Sequence, residues 1–220
     1  MKNRILGCLL LSLVVAVTPP LCAEDPPAAN DEAQQVQQVE QLQQLQQVPL
    51  NNVIVVKSAQ GGQPIRRWYK AWKSAEGVAP ESTGDLYDKL MGLVNPAIEG
   101  KKPKTITFVW MQGERDAREK HGSVYAASFA GLVKQLRADM KRKDISFVIG
   151  RLSDFGKYPD WEVVRKAQVE VAEDDPLGAW VDTDDLNGPK DGLHYDREGY
   201  VELGSRFAKA AIALINGEEK

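Results

Sequence analysis

Beyond residue 52, the apolar positions follow two patterns, short continuous runs and longer stretches with helical spacing. Short apolar runs bounded by polar residues are typical of buried strands, and apolar residues at i, i+3, i+4 and i+7 are typical of amphipathic helices. The runs predict strands at residues 53–56, 105–110, 145–149 and 179–181. The helical spacing predicts helices at residues 84–98, 124–140, 161–172 and from 196 or 197 to 215. Ile65, Trp68 and Trp72 also recur at helix-like spacing.

The order of these elements predicts the fold class. Strands that alternate with helices favour an α/β fold, in which a parallel sheet has helices on both faces. In such sheets the functional residues collect on the loops at the carboxyl ends of the strands. The unusual loops fall at this edge, and they carry Gly61 and Gly62, then Gln112 and Glu114, then Asp191 and His194.

The first 50 residues differ from the rest. Residues 1–23 have a basic start at Lys2 and Arg4, an apolar run over 5–17 and a small-residue end at Ala23, which together predict a signal peptide. We therefore expect a secreted or periplasmic protein with no membrane span after signal cleavage. Residues 24–50 are low-complexity and Gln-rich, with apolar residues at every third position, and they indicate a linker. The predicted globular domain covers residues 51–217.

Composition narrows the classes of partner. The formal net charge is −3, and no block of Lys and Arg interleaves with aromatic residues, so we expect no nucleic-acid partner. Cys8 and Cys22 both lie in the predicted signal peptide, which leaves no thiol ligand in the mature chain. No glycine fingerprint for a cofactor is present. The acidic run 182–185 lacks calcium-loop spacing because Leu186 stands where an acceptor is needed, so we expect neither a cofactor nor a metal.

His194 is the strongest candidate for chemistry. Asp191, three residues earlier, can accept a hydrogen bond from one imidazole nitrogen and leave the other facing a substrate. This is the base half of a hydrolytic triad. Glu114 competes for the part of the acid partner, and the sequence leaves that choice open. The structural alternative is that residues 191–192 form only a turn.

Acyl transfer also needs donors for a developing oxyanion. Gln112 offers a side-chain amide, and Gly61 or Gly62 lets a backbone N–H approach a substrate without a Cβ in the way. The structural alternatives are that the two glycines form a turn and that Gln112 caps the following segment.

Three blocks of the sequence resemble one known family. Residues 110–116 read Trp-Met-Gln-Gly-Glu-Arg-Asp, which resembles the Trp-x-Gln-Gly-Glu-x-Asp block of the sialate O-acetylesterase-like, carbohydrate esterase family 6 branch of the SGNH (GDSL-type) hydrolases. Residues 57–62 and 191–195 are similar to two further blocks. The resemblance implies a flavodoxin-like three-layer α/β/α fold and hydrolysis of acetyl esters on a carbohydrate substrate.

The same resemblance implies roles for individual residues. His194 would be the base, with Asp191 or Glu114 as its acid partner. Gln112 and one of the glycines Gly61 and Gly62 match the oxyanion positions of the family.

One family feature is not found. The family begins with a strand that ends in a Gly-Gln-Ser-Asn block, whose serine is the nucleophile. Residues 24–49 contain no serine, so the nucleophile is unknown and the first strand is missing or replaced. Two interpretations follow: an exported carbohydrate O-acetylesterase impaired by this absence, from a gene altered near its front, or a non-catalytic carbohydrate-binding pseudoenzyme of the same fold.

Overall fold

The computed structural model describes residues 53–218, so the predicted signal peptide and the linker at 24–50 lie outside the described residues. The helices of the described part are α1 (Asp85–Ile98), α2 (Glu114–Arg118), α3 (Gly122–Asp139), α4 (Trp161–Asp174) and α5 (Arg197–Asn216). Its strands are β1 (Thr107–Trp110), β2 (Ser146–Gly150) and β3 (Gly178–Val181). Within residues 53–218, no helix combines the length and the apolar character needed to cross a bilayer.

The three strands form one parallel sheet in the order β1-β2-β3. Successive side chains of a strand point to opposite faces, and β1 accordingly sends Phe108 and Trp110 to one core and Val109 to the other. The first core also takes the buried faces of α1, α3 and α4, while Leu203 and Phe207 of α5 cover the second. The predicted three-layer α/β fold with a parallel sheet is confirmed.

The prediction of a strand at 53–56 is wrong. These residues form no strand, and Lys57 alone makes an isolated bridge. A strand needs a hydrogen-bonded neighbour along its length, and an apolar run alone does not show that such a neighbour exists. Val55, in the middle of the run, is 47% exposed. The family strand expected before residue 53 would fall among residues that the structure does not describe.

The helix-like spacing of Ile65, Trp68 and Trp72 reflects burial, because only a short 3-10 turn forms at Ile65–Arg67. All three side chains are buried, and the Trp68 ring meets the Trp110 ring edge-on at 5.2 Å between centroids. Helix α2 was not predicted, since its five residues are too few for a periodic pattern.

A buried polar network ties the carboxyl ends of β1 and β2 together. The Gln168 side chain donates to the Gln112 carbonyl and accepts from the Leu152 N–H, both at 2.8 Å. The Tyr125 hydroxyl donates to the same carbonyl at 2.8 Å and accepts from the Trp110 indole N–H at 3.0 Å. Buried polar groups need such partners, and these bonds fix the loops that follow both strands.

We expect Gln168→Leu to lower the free energy of unfolding by about 1–3 kcal/mol, because the Leu152 N–H would stay buried without an acceptor. Urea unfolding measures the change. Lys166→Gln, at an exposed position of the same helix, should stay within about 0.5 kcal/mol of the parent. Equal stability of the two variants would contradict a structural role for Gln168.

Candidate functional site

The loop between the 3-10 turn Asp184–Leu186 and α5 carries His194 and Asp191. The His194 Nδ1 atom lies 2.7 Å from the Asp191 carboxylate, whose other oxygen accepts the backbone N–H groups of His194 at 2.8 Å and Leu193 at 3.0 Å. These hydrogen bonds, the backbone bond from His194 foremost, hold the pKa of Asp191 well below its usual value. The Gly188 N–H closes the loop onto the His194 carbonyl at 3.0 Å. The imidazole is half exposed, at 49% of its side-chain surface.

The carboxylate hydrogen-bonded to the His194 imidazole is therefore that of Asp191, and not that of Glu114. Glu114 begins helix α2 and is half-buried. Burial raises its pKa, and the charge of His194 acts on it in the opposite direction. Glu114 and His194 both line one depression of the surface.

Two neighbouring depressions lie along the rim formed by the carboxyl ends of the strands, and Met111 and Glu114 line both. The first is also lined by Gly62, Trp68 and Gln112. The second is completed by the following residues: Leu152, Ser153, Leu193, His194, Tyr195, Tyr200 and Leu203. Four residues singled out from the sequence, Gly62, Gln112, Glu114 and His194, are thereby brought to one rim.

Gly61 is not among the residues that line either depression. Its carbonyl instead accepts a hydrogen bond from the Gln63 side chain at 3.2 Å. Gly62 has a φ of +67°, and the space around the position of a Cβ is open. A side chain at Gly62 would be strained by the backbone angle and not by contacts.

Gln112 is buried and its amide is fully used. The Nε2 atom donates to the Gln63 carbonyl at 2.9 Å and to the carboxylate of Asp116. The same carboxylate oxygen accepts the Ile65 N–H at 2.9 Å. Gln112 and Asp116 together hold the segment that follows Gly62 against the end of β1.

Sequence reasoning did not single out Asp116, although it is the last residue of the block at 110–116. Its side chain is fully buried, and its Oδ1 atom has no hydrogen-bond partner in the described part of the chain. Burial raises the pKa of Asp116 to about 6, and the hydrogen bonds from Gln112 and Ile65 oppose that shift.

Ser153 lines the same depression as His194, and the sequence did not predict this position. It is 2% exposed, and its hydroxyl has no hydrogen-bond partner among residues 53–218. The only signal in the sequence was its place on the loop after a predicted strand, an edge where side chains of the site collect.

The acidic run at 182–185 is largely paired with arginines. Asp184 lies 2.8 Å from Arg151 and 2.6 Å from Arg165, and Asp185 lies 2.6 Å from Arg206. The hydrogen bond from Arg165 lowers the pKa of Asp184. These ion pairs link the loop after β3 to the neighbouring elements.

The family model of a carbohydrate esterase, sialic acid-specific acetylesterase, matches residues 22–213. The chain belongs to this family. The match covers the blocks that hold Gln112, Asp191 and His194, and the resemblance inferred from the sequence is confirmed. None of the curated proteins compared with this esterase-family chain matches it.

Solved structures share the fold of this esterase-family chain. A protein from Arabidopsis thaliana is 23% identical with a TM-score of 0.56, over 70% of this chain and 58% of the other. A carbohydrate acetylesterase from Xanthomonas citri is 23% identical with a TM-score of 0.51, over 72% of this chain and 35% of the other. The esterase-family chain thus spans less than two thirds of the length of either protein.

The raised pKa of Asp116 makes the stability of the chain depend on pH. A carboxyl whose pKa is higher when folded stabilises the protein while it is protonated, and that contribution is lost as pH rises. The loss falls between the ordinary pKa near 4 and the folded value of about 6. From pH 4 to pH 7, the free energy of unfolding of the parent should therefore fall by on the order of 2–3 kcal/mol relative to that of Asp116→Asn.

Chemical denaturation at a series of pH values measures this shift. Asp88→Asn removes an exposed carboxylate of α1 and serves as the control for loss of a charge. If the parent instead gained stability relative to Asp116→Asn as pH rises, the folded chain would favour the charged carboxylate of Asp116, and the prediction would be wrong.

We expect that a side chain at Gly188 would displace His194, because the Gly188 backbone packs directly against the His194 carbonyl. A Cβ at Gly188 would clash with the His194 carbonyl oxygen, a backbone atom that cannot yield without moving the loop. We expect Gly188→Ala to destabilise the chain by about 1–3 kcal/mol and to shift the NMR resonances of the His194 ring.

Gly204→Ala is the matched control, because Gly204 lies within α5 with no atom near the position of its Cβ. It should stabilise the chain by about 0.5–1 kcal/mol and leave the His194 resonances in place. Unchanged His194 resonances in Gly188→Ala would refute the assignment of Gly188 to loop closure.

Proposed function

We propose that this chain carries the base, the acid partner and the substrate-facing rim of an exported carbohydrate O-acetylesterase. The observation that supports this most directly is the contact of 2.7 Å between His194 and Asp191 beside a rim that includes Gly62. Membership of the acetylesterase family supports an acetylated carbohydrate as the substrate. Export rests on the sequence of residues 1–23.

In this proposal His194 acts as general base. Asp191 accepts the Nδ1–H hydrogen bond, which keeps the proton on that nitrogen and leaves Nε2 as the acceptor for the proton of an attacking hydroxyl. The low pKa of Asp191 keeps its carboxylate charged, so it stabilises the imidazolium that forms. The nucleophile itself is not assigned.

The oxyanion would be met by the backbone N–H of Gly62, in the segment that leads to Gln63. The open space around Gly62 allows a substrate to approach its backbone closely. Both hydrogens of the Gln112 amide are already donated, so we assign Gln112 as the residue that positions this segment. Glu114, half-buried between the depressions, is assigned to contact with substrate hydroxyl groups.

A specific observation favours a second candidate, the non-catalytic carbohydrate-binding pseudoenzyme. Residues 24–49 contain no serine. Among residues 53–218, the ring of His194 has a hydrogen bond only to Asp191, so no serine in that range stands in the position of a primed nucleophile. The rim would then bind an acetylated sugar without cleaving it.

Hydrolysis of 4-nitrophenyl acetate and acetylated xylan by the purified full chain tests the proposal. We expect turnover that His194→Ala abolishes and that Asp191→Asn lowers by on the order of 10⁴-fold, since the imidazole would lose its tautomer. Asp88→Asn, at an exposed carboxylate of α1 that lines neither depression, is the control and should leave turnover unchanged. Circular dichroism establishes that each variant is folded.

Two outcomes would overturn the catalytic proposal. Turnover that survives in His194→Ala would place the chemistry elsewhere. A chain that binds acetylated xylan and cleaves neither ester would establish the pseudoenzyme.

A further inference from the structure

Ser153 carries a buried hydroxyl group without a hydrogen-bond partner. Its side chain is 2% exposed, and the Oγ atom is bonded to no group among residues 53–218. Of the residues that line the depression beside His194, Ser153 is the one whose buried side-chain polar atom lacks a partner in the described part of the chain. Such a hydroxyl destabilises the folded protein, so its presence at the site makes it a candidate for contact with a ligand.

The backbone around this hydroxyl is held firmly. The Leu152 N–H donates to the Gln168 side chain at 2.8 Å, and the Leu152 carbonyl accepts from Arg165 at 2.5 Å. The Ser153 carbonyl accepts from the Trp161 indole N–H at 2.6 Å. The direction of the hydroxyl is therefore set by one side-chain torsion on a fixed backbone. A group placed in this way loses little freedom when a ligand binds.

The proposed function places the sugar of the ester in the depression that Ser153 lines. Gly62, which meets the oxyanion, lines the first depression, whereas His194 lines the second. The imidazole gives its proton to the leaving oxygen, and that oxygen belongs to the sugar. Hydroxyl groups on the neighbouring carbons of the sugar ring therefore enter the second depression together with it.

The chemistry of this depression suits a hydroxyl group. Met111, Leu152, Leu193 and Leu203 contribute apolar side chains to its lining. A serine hydroxyl both donates and accepts, and a sugar hydroxyl does the same. A site with a buried polar group selects against a ligand that lacks the matching group, because the polar group of the protein then stays unpaired.

We propose that Ser153 is a specificity-determining residue, which recognises a free hydroxyl on the carbon next to the acetylated carbon of the sugar. The preferred ligand is then a partly acetylated sugar, in which an unmodified hydroxyl flanks the ester. The Ser153 hydroxyl gains its partner when this ligand binds. The place of the contact rests on the proposed function, because that function puts the sugar in the second depression.

Binding of two esters to the full chain with His194→Ala, which should not cleave them, tests this contact. One ligand is methyl xyloside acetylated at C2 with a free hydroxyl at C3, and the other is its 3-deoxy analogue, which lacks only that hydroxyl. In an NMR titration the first should bind on the order of tenfold more tightly. Ser153→Ala in the same background should remove this difference by weakening the hydroxyl-bearing ligand alone.

Ser153→Ala should also make the free chain more stable, because it removes a buried hydroxyl that has no partner. We expect the midpoint of thermal unfolding to rise by about 2–4 °C. A hydroxyl with a structural role would give a fall instead, so the sign of the shift separates the two roles.

Ser128→Ala is the matched control for the binding measurement. Ser128 is also buried, but its hydroxyl donates to the Val124 carbonyl at 2.6 Å and the residue lines neither depression. This variant should leave the difference between the two ligands unchanged.

Equal binding of the two ligands, no binding of either, or a difference that survives Ser153→Ala would overturn the role of Ser153, and so would a fall in thermal stability. These measurements do not depend on turnover. Selective binding by a chain whose parent cleaves no ester would retain the contact and overturn the catalytic proposal, whereas cleavage by the parent without this selectivity would do the reverse.

Discussion

The rim of this protein depends on one buried carboxylate. Asp116 sits in the interior and accepts hydrogen bonds from Gln112 and from the Ile65 backbone, which join the end of β1 to the segment after the two glycines. Burying a charge is costly unless donors surround it, and the raised pKa of Asp116 indicates that two donors do not fully compensate. Packing of Trp68 edge-on against Trp110 stabilises the same junction.

This constraint changes what the amide of Gln112 can do. A donor serves an oxyanion best when it is fixed and unpaired before the substrate arrives, whereas both hydrogens of this amide are already taken. The family resemblance implies that Gln112 is an oxyanion donor, whereas we propose that it supports the segment after Gly62, because both hydrogens of its amide are already donated. In the proposed function, the backbone N–H of Gly62 is then left to face the substrate. Gln168 donates a hydrogen bond to the Gln112 carbonyl, which holds the chain just after β1.

The sequence predicts those features whose causes are local or periodic. The apolar stripe of α1 marks Leu86 and Leu90 as buried, and the spacing of Asp191 and His194 fits within one loop. The false strand at 53–56, the roles of Asp116 and Gln168 and the placement of Ser153 depend on partners as far as 56 residues away in the chain. No local pattern encodes such partners, because a strand or a buried polar group is defined by what it pairs with.

The two halves of the site are therefore built on different principles. The Asp191–His194 pair is held by hydrogen bonds within one exposed loop. The rim at Gly62 is instead held by a buried hydrogen-bond network, in which Gln112 is bonded to both Gln63 and Gln168. Neither half relies on the hydroxyl that would attack an ester. Loss of a nucleophile would leave the Asp191–His194 pair and the rim in place, so the two proposed functions, esterase and carbohydrate-binding protein, would share one architecture and differ in a single group.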